Sequence, residues 1–113
     1  MAVLIDPPNA AGHGRLWSHL ASDSSYDELH AFARTVGIPE RGFDRDHYDV
    51  PAEWYEQAVE AGAEPISSRE LVSRLVASGL RRRKPSAQPL GHQLEDLYRW
   101  WRARGGGSVR TGA

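Results

Sequence analysis

Residues 41–51 read Arg-Gly-Phe-Asp-Arg-Asp-His-Tyr-Asp-Val-Pro (RGFDRDHYDVP). The second half decides the fold. Alternation over His47 to Val50 puts His47 and Asp49 on one face of a short strand and Tyr48 and Val50 on the other. Pro51 then suits the first position of a helix, since its missing N–H would be unpaired there anyway. A strand that runs straight into a helix, in a chain of only 113 residues, points to one small α/β domain.

The flanking segments extend this pattern. Ala2 to Ile5 is a β-branched apolar run closed by Asp6-Pro7-Pro8, the signature of a buried strand with an acid at its end. Asn9 to Gly14 reads as a small-residue loop. Arg15 to Ser22 alternates, with Leu16, Ser18 and Leu20 on one side and Trp17, His19 and Ala21 on the other. Ser25 and Glu28 form a capping box, and Leu29, Phe32, Ala33 and Val36 recur at helical spacing before Gly37. A second helix is expected from Pro51 to Ala61, with Trp54 or Tyr55, Ala58 and Ala61 inward. Glu64-Pro65-Ile66 allows a short edge strand. A second capping box, Ser67 with Glu70, starts a helix expected to bury Leu71, Val72, Leu75 and Val76 before Gly79. The expected architecture is a three- to four-stranded sheet flanked by helices over residues 1–80.

Charge divides the chain. Residues 1–80 carry thirteen acids against six arginines, and residues 81–113 carry eight cations against two acids. The change falls at Arg81-Arg82-Arg83-Lys84-Pro85. We read residues 81–89 as a basic linker, 90–104 as an appended amphipathic helix and 105–113 as a disordered tail. Leu90, Leu94, Leu97 and Trp101 share one face of that helix. It could dock on this domain, on a second copy or on a partner protein. The basic run with Tyr98, Trp100 and Trp101 could instead hold nucleic acid.

Several classes are excluded or disfavoured. Without cysteine there are no disulfides and no thiolate metal sites. No apolar run approaches the roughly 20 residues of a membrane helix, and Met1 to Ile5 meets Asp6 too soon for a signal peptide. The expectation is a cytoplasmic protein. Gly12-His13-Gly14 lacks the rest of a nucleotide fingerprint, and there is no P-loop, HExxH or GxSxG.

If the three strands are neighbours, Asp6, His19, Asp23, His47 and Asp49 can converge. Imidazoles and carboxylates are what acid/base chemistry or a divalent metal requires. We expect His19, His47 and Asp49 to carry catalysis and Asp6 and Asp23 to hold a metal. Arg15 and Tyr48 would contact an anionic substrate. Plainer roles compete: Asp49 capping the helix at Pro51, Asp23 capping in place of Ser25, Asp6 shaping a turn, His19 at a solvent face, His30 at a core boundary and His13 in a mobile loop. Arg41 and Arg45 have acidic neighbours in sequence and suit surface ion pairs with Glu40, Asp44 and Asp46.

The segments VLID (3–6), GRLWSHL (14–20), DELHAFA (27–33), HYDV (47–50) and Gly62-Ala63 resemble, in this order, a small bacterial and phage family known as domain of unknown function 4031. The likeness covers roughly residues 1 to 80 and brings no established activity. It implies that these segments form one unit. From the residues themselves, the leading function is a small hydrolase- or lyase-like enzyme acting on a phosphorylated or nucleotide-like substrate. The alternative is a non-catalytic anion- or nucleotide-binding module, or an adaptor working through its C-terminal helix.

Overall fold

In a computed structural model of the chain, the described residues are 2–12 and 14–82. The apolar run at the start forms β1 (Val3–Ile5), all three residues buried. It is followed by β2 (Ala10–Gly12), β3 (Arg15–Ser22), helix α1 (Tyr26–Val36), β4 (Phe43–Asp44), β5 (His47–Pro51), helix α2 (Tyr55–Glu60), β6 (Glu64–Pro65) and helix α3 (Ser68–Ser78). The strands make one mixed sheet in the order β4-β5-β3-β1-β6, with β2 also paired to β3. All pairings are antiparallel except β1 with β6. The longest strand, β3, lies at the centre because it pairs with β1, β2 and β5.

Side-chain alternation divides the sheet into two faces. On one, Val3, Ile5, Leu20, Tyr48 and Val50 pack with Leu29, Ala33 and Val36 of α1 and Ala58 of α2. On the other, Leu4 and Ala21 pack with Leu71 and Leu75 of α3, with Ala2, Ile66 and Leu80 at the edge. The second face is thus apolar toward one end and open to polar side chains toward the other. The serine half of each expected capping box forms: Ser25 Oγ accepts from the Glu28 N–H at 3.0 Å and Ser67 Oγ from the Glu70 N–H at 3.1 Å, while the Glu28 carboxylate accepts from Ser22 and Ser24 and the Ser25 N–H goes to Ser22 Oγ. Gly37 and Gly79 close α1 and α3 in the left-handed conformation, at φ 97° and 82°.

The α/β class is as expected, and the differences in detail have local causes. Ala10–Gly12, read as loop, forms β2 against the first half of β3. Phe43–Asp44 forms β4, so the sheet has six strands where three or four were expected. Pro51 ends β5 in place of starting a helix; a 3-10 turn over Ala52–Trp54 intervenes before α2. Ala61 lies outside α2 and is exposed. Val72 and Val76 are 39% and 54% exposed, because only the Leu71/Leu75 stripe of α3 reaches the sheet. No helix of the described residues is long and apolar enough to cross a membrane. The linker from residue 83 onward, the expected helix 90–104, the tail 105–113 and His13 lie outside the described residues.

Candidate metal centre

The register of the sheet builds the site. Leu20 pairs with Ile5 of β1 and with Tyr48 of β5. One residue earlier on β3, His19 therefore stands opposite Asp49 on one side and beside Asp6 on the other. His47 is two residues before Asp49 and so returns to the same face. Four polar side chains from three adjacent strands are carried to the α3 face, at the end that Leu71 and Leu75 leave uncovered.

Each histidine is held by a buried carboxylate. Asp6, 1% exposed, accepts from the His19 backbone N–H at 2.6 Å and from Ser68 Oγ at 2.8 Å, and its Oδ2 lies 2.8 Å from His19 Nδ1. Burial alone would raise the Asp6 pKa, but these bonds and the neighbouring imidazole hold it below the ordinary value. Asp46, also 1% exposed, lies 2.7 Å from His47 Nδ1. His47 Nε2 is 3.2 Å from Asp49 Oδ1. Burial opposes a charge on His47, yet the hydrogen bonds and charges of Asp46 and Asp49 outweigh it and raise its pKa from 6.5 to about 9. A proton bridging two carboxylates there occupies a position that favours positive charge.

The two imidazole rings meet edge to face, with centroids 5.0 Å apart and planes at 71°. One donor atom from each of His19, His47 and Asp49 falls within 4.8 Å of the other two. Carboxylates hold both Nδ1 atoms, so each ring would meet a metal through Nε2, which in His47 lies against Asp49, itself a member of the cluster. The cluster opens into a cavity of about 400 Å³ whose wall includes Asp44, Arg45, Ser68, Val72 and Arg81. His19 is the most accessible of the three, its side chain 35% exposed against 11% for His47 and 14% for Asp49.

The other expected site residues lie elsewhere. Asp23 sits at the far end of β3. It accepts from the Ala2 backbone N–H at 2.8 Å and from Arg74 at 2.6 Å, and so ties the start of the chain to α3. Arg15 stands across from Gly12 in the β2–β3 hairpin, away from the cavity wall. Tyr48 is buried on the α1 face with its hydroxyl 2.7 Å from His30 Nδ1. Its position between His47 and Asp49 in the alternation requires that. Asp49 caps nothing, and Ser25, not Asp23, caps α1.

Two contributors escaped the sequence reading. Asp46, expected at a surface ion pair, is buried beneath His47. Ser68, part of a helix start, bonds Asp6 across 62 residues. For Asp46 a sign was present: it adjoins His47 in the chain, and two residues at a hairpin corner can share a side. For Ser68 there was none.

Comparison with known proteins finds no match among curated proteins and none among solved structures. Residues 3–78, the whole unit that builds the sheet and the cluster, match the model of a family described as "Protein of unknown function (DUF4031)", and the chain belongs to that family.

Proposed function

We propose that the protein is a metal-dependent hydrolase- or lyase-like enzyme acting on a phosphorylated or nucleotide-like substrate. The observation that carries this reading is the meeting of His19, His47 and Asp49 donor atoms within 4.8 Å on one face of the sheet. Two imidazoles and one carboxylate suit Zn²⁺, Fe²⁺ or Mn²⁺ better than Mg²⁺ or Ca²⁺, which prefer all-oxygen shells. Three protein ligands leave coordination positions for water or substrate, as catalytic sites require. An ion there would act as a Lewis acid and lower the pKa of a water it binds.

The chain's own groups take the remaining roles. Asp6 and Asp46 fix the ring orientations and tautomers of His19 and His47. In the metal-free protein His47 holds a proton between Asp46 and Asp49, and metal binding releases it, so affinity rises with pH below about 9. Among the described residues, Leu71, Val72 and Leu75 of α3 form the apolar wall that limits water on one side.

Metal content of the purified full chain tests the reading. Wild type should hold one ion per chain, and His47→Ala or Asp49→Asn should weaken binding about 100-fold or more. Turnover of phosphomonoesters and nucleotides by the loaded protein, lost in both variants, would complete it. A loaded protein that binds nucleotides without turning them over is the binding module. Wild type with no affinity for any of the three ions ends the metal reading.

A further inference from the structure

Two arginines line the cavity beside the cluster, and neither is the one expected from sequence. Arg45 comes from the corner of the β4–β5 hairpin. Arg81 comes from the chain just after α3, three residues past the segment that matches the family. Each guanidinium is anchored at one edge by an acid. Arg45 NH1 bonds Asp44 Oδ1, and Arg81 NH1 lies 3.6 Å from Asp46 Oδ2. Each also has a buried Nε with no hydrogen-bond partner among the described residues. Yet the side chains as a whole are 23% and 32% exposed, so a ligand in the cavity can reach them.

This is not the pattern of an idle ion pair. A surface pair swings freely and keeps its other N–H groups in water. Here one edge of each guanidinium faces an acid while the side chain still lines the cavity, so the rest of the fork can meet a ligand. Arg45 is also the single non-glycine residue of positive φ, at 63°, among the described residues. That backbone conformation is unfavourable for an arginine, and such conformations gather where a side chain must be aimed.

Charge selects the ligand. The cavity wall holds Asp6, Asp44 and Asp49 against Arg45 and Arg81. With Asp46 beneath His47 the carboxylates outnumber these arginines by two, and a divalent ion on neutral imidazoles cancels that excess, so an anion reaching the arginines meets no net repulsion. Two guanidiniums approaching from different elements, with a metal on a third side, match the several oxygens of a tetrahedral group better than the two of a planar carboxylate.

We infer that Arg45 and Arg81 form an anion subsite beside the His19/His47/Asp49 cluster and take the phosphate group of the substrate. The inference rests on the proposed metal reading for what happens at the neighbouring cluster, but the arginine dependence is measurable without it.

Binding of inorganic phosphate to the full chain, by calorimetry with and without added Zn²⁺, is the test. Wild type should bind phosphate more tightly with metal than without. Arg45→Gln and Arg81→Gln should each weaken it about tenfold and the double variant about 100-fold, the loss expected of charge-assisted bonds. Metal stoichiometry should stay as in wild type, and affinities are compared on the folded fraction because each arginine also faces an acid. Arg45→Lys and Arg81→Lys, which keep the charge and lose the fork, should fall between. Acetate should compete poorly. Phosphate affinity unchanged in the double variant, absent in wild type under both conditions, or equalled by acetate overturns the subsite. If no metal binds but phosphate still depends on both arginines, the subsite stands and the metal reading falls.

Discussion

The two faces of the sheet are made from the same strands and do opposite things. On the α1 face, β1, β3 and β5 present Val3, Ile5, Leu20, Tyr48 and Val50, all buried and enclosed by two helices. On the α3 face the intervening residues of those strands are Leu4, Asp6, His19, Ala21, His47 and Asp49. There the apolar cluster is small, four fully buried residues with Ala2, Ile66 and Leu80 at its edge. The difference teaches how a domain this small carries a site. One face supplies the burial that stabilises the fold, so the other can hold ionisable groups that contribute little burial. Each of these strands serves core and site at once.

If the faces divide labour in this way, their variants should separate stability from binding. The largest stability effect belongs to the α1 face. Leu20→Ala removes a fully buried side chain and should cost about 2–5 kcal/mol in chemical denaturation, a large share of a small domain's margin. The fraction still folded should bind metal as wild type does. A folded Leu20→Ala protein that has lost its metal site would mean the two faces are not independent.

A pH series sharpens the comparison next. The folded pKa of His47, about 9, lies above its ordinary 6.5. Its charged form therefore stabilises the metal-free protein fully below about pH 6.5, and that contribution is lost as pH rises through about 9. The loss should be on the order of a few kcal/mol. Asp46→Asn removes one of the two carboxylates and should bring the His47 titration, followed by NMR, down toward its ordinary value. Stability that is flat from pH 6 to 9 would show that His47 is not bridged as described.

The smallest effect tests whether the α1 face also carries polar contacts of consequence to the site. Tyr48→Phe deletes the hydroxyl that meets His30 and should cost about 1 kcal/mol without changing metal affinity. A larger loss of affinity than of stability would make Tyr48 a positioning residue for its chain neighbours, His47 and Asp49.

Much of this was legible from the letters. The HxD alternation at 47–49 and the strand at 15–22 are period-two patterns, and both segments form strands. The helix starts at Ser25 and Ser67 are local signals read within four residues, and both serines cap as expected. What escaped was set by distant or conformational factors. Asp23 looks like a helix cap or a ligand until Arg74, 51 residues later, takes it. Asp46 looked exposed because nothing in an arginine announces the positive φ at Arg45 that shapes the hairpin corner. Val72 and Val76 fit a helical apolar pattern, yet a helix crossing a narrow sheet buries only the stripe it can reach.

By itself the sequence determined the strands at 3–5, 15–22 and 47–50, the helices α1 and α3, and which of their side chains share a face, because these follow from repeats of two and 3.6 residues along one chain. Only the tertiary structure decided that β3 lies between β1 and β5, with His19 across from Asp49 and beside Asp6. Those pairings join residues 13 and 30 positions apart. They are selected by the fit of whole faces against α1, α2 and α3, and no local pattern of letters encodes that competition.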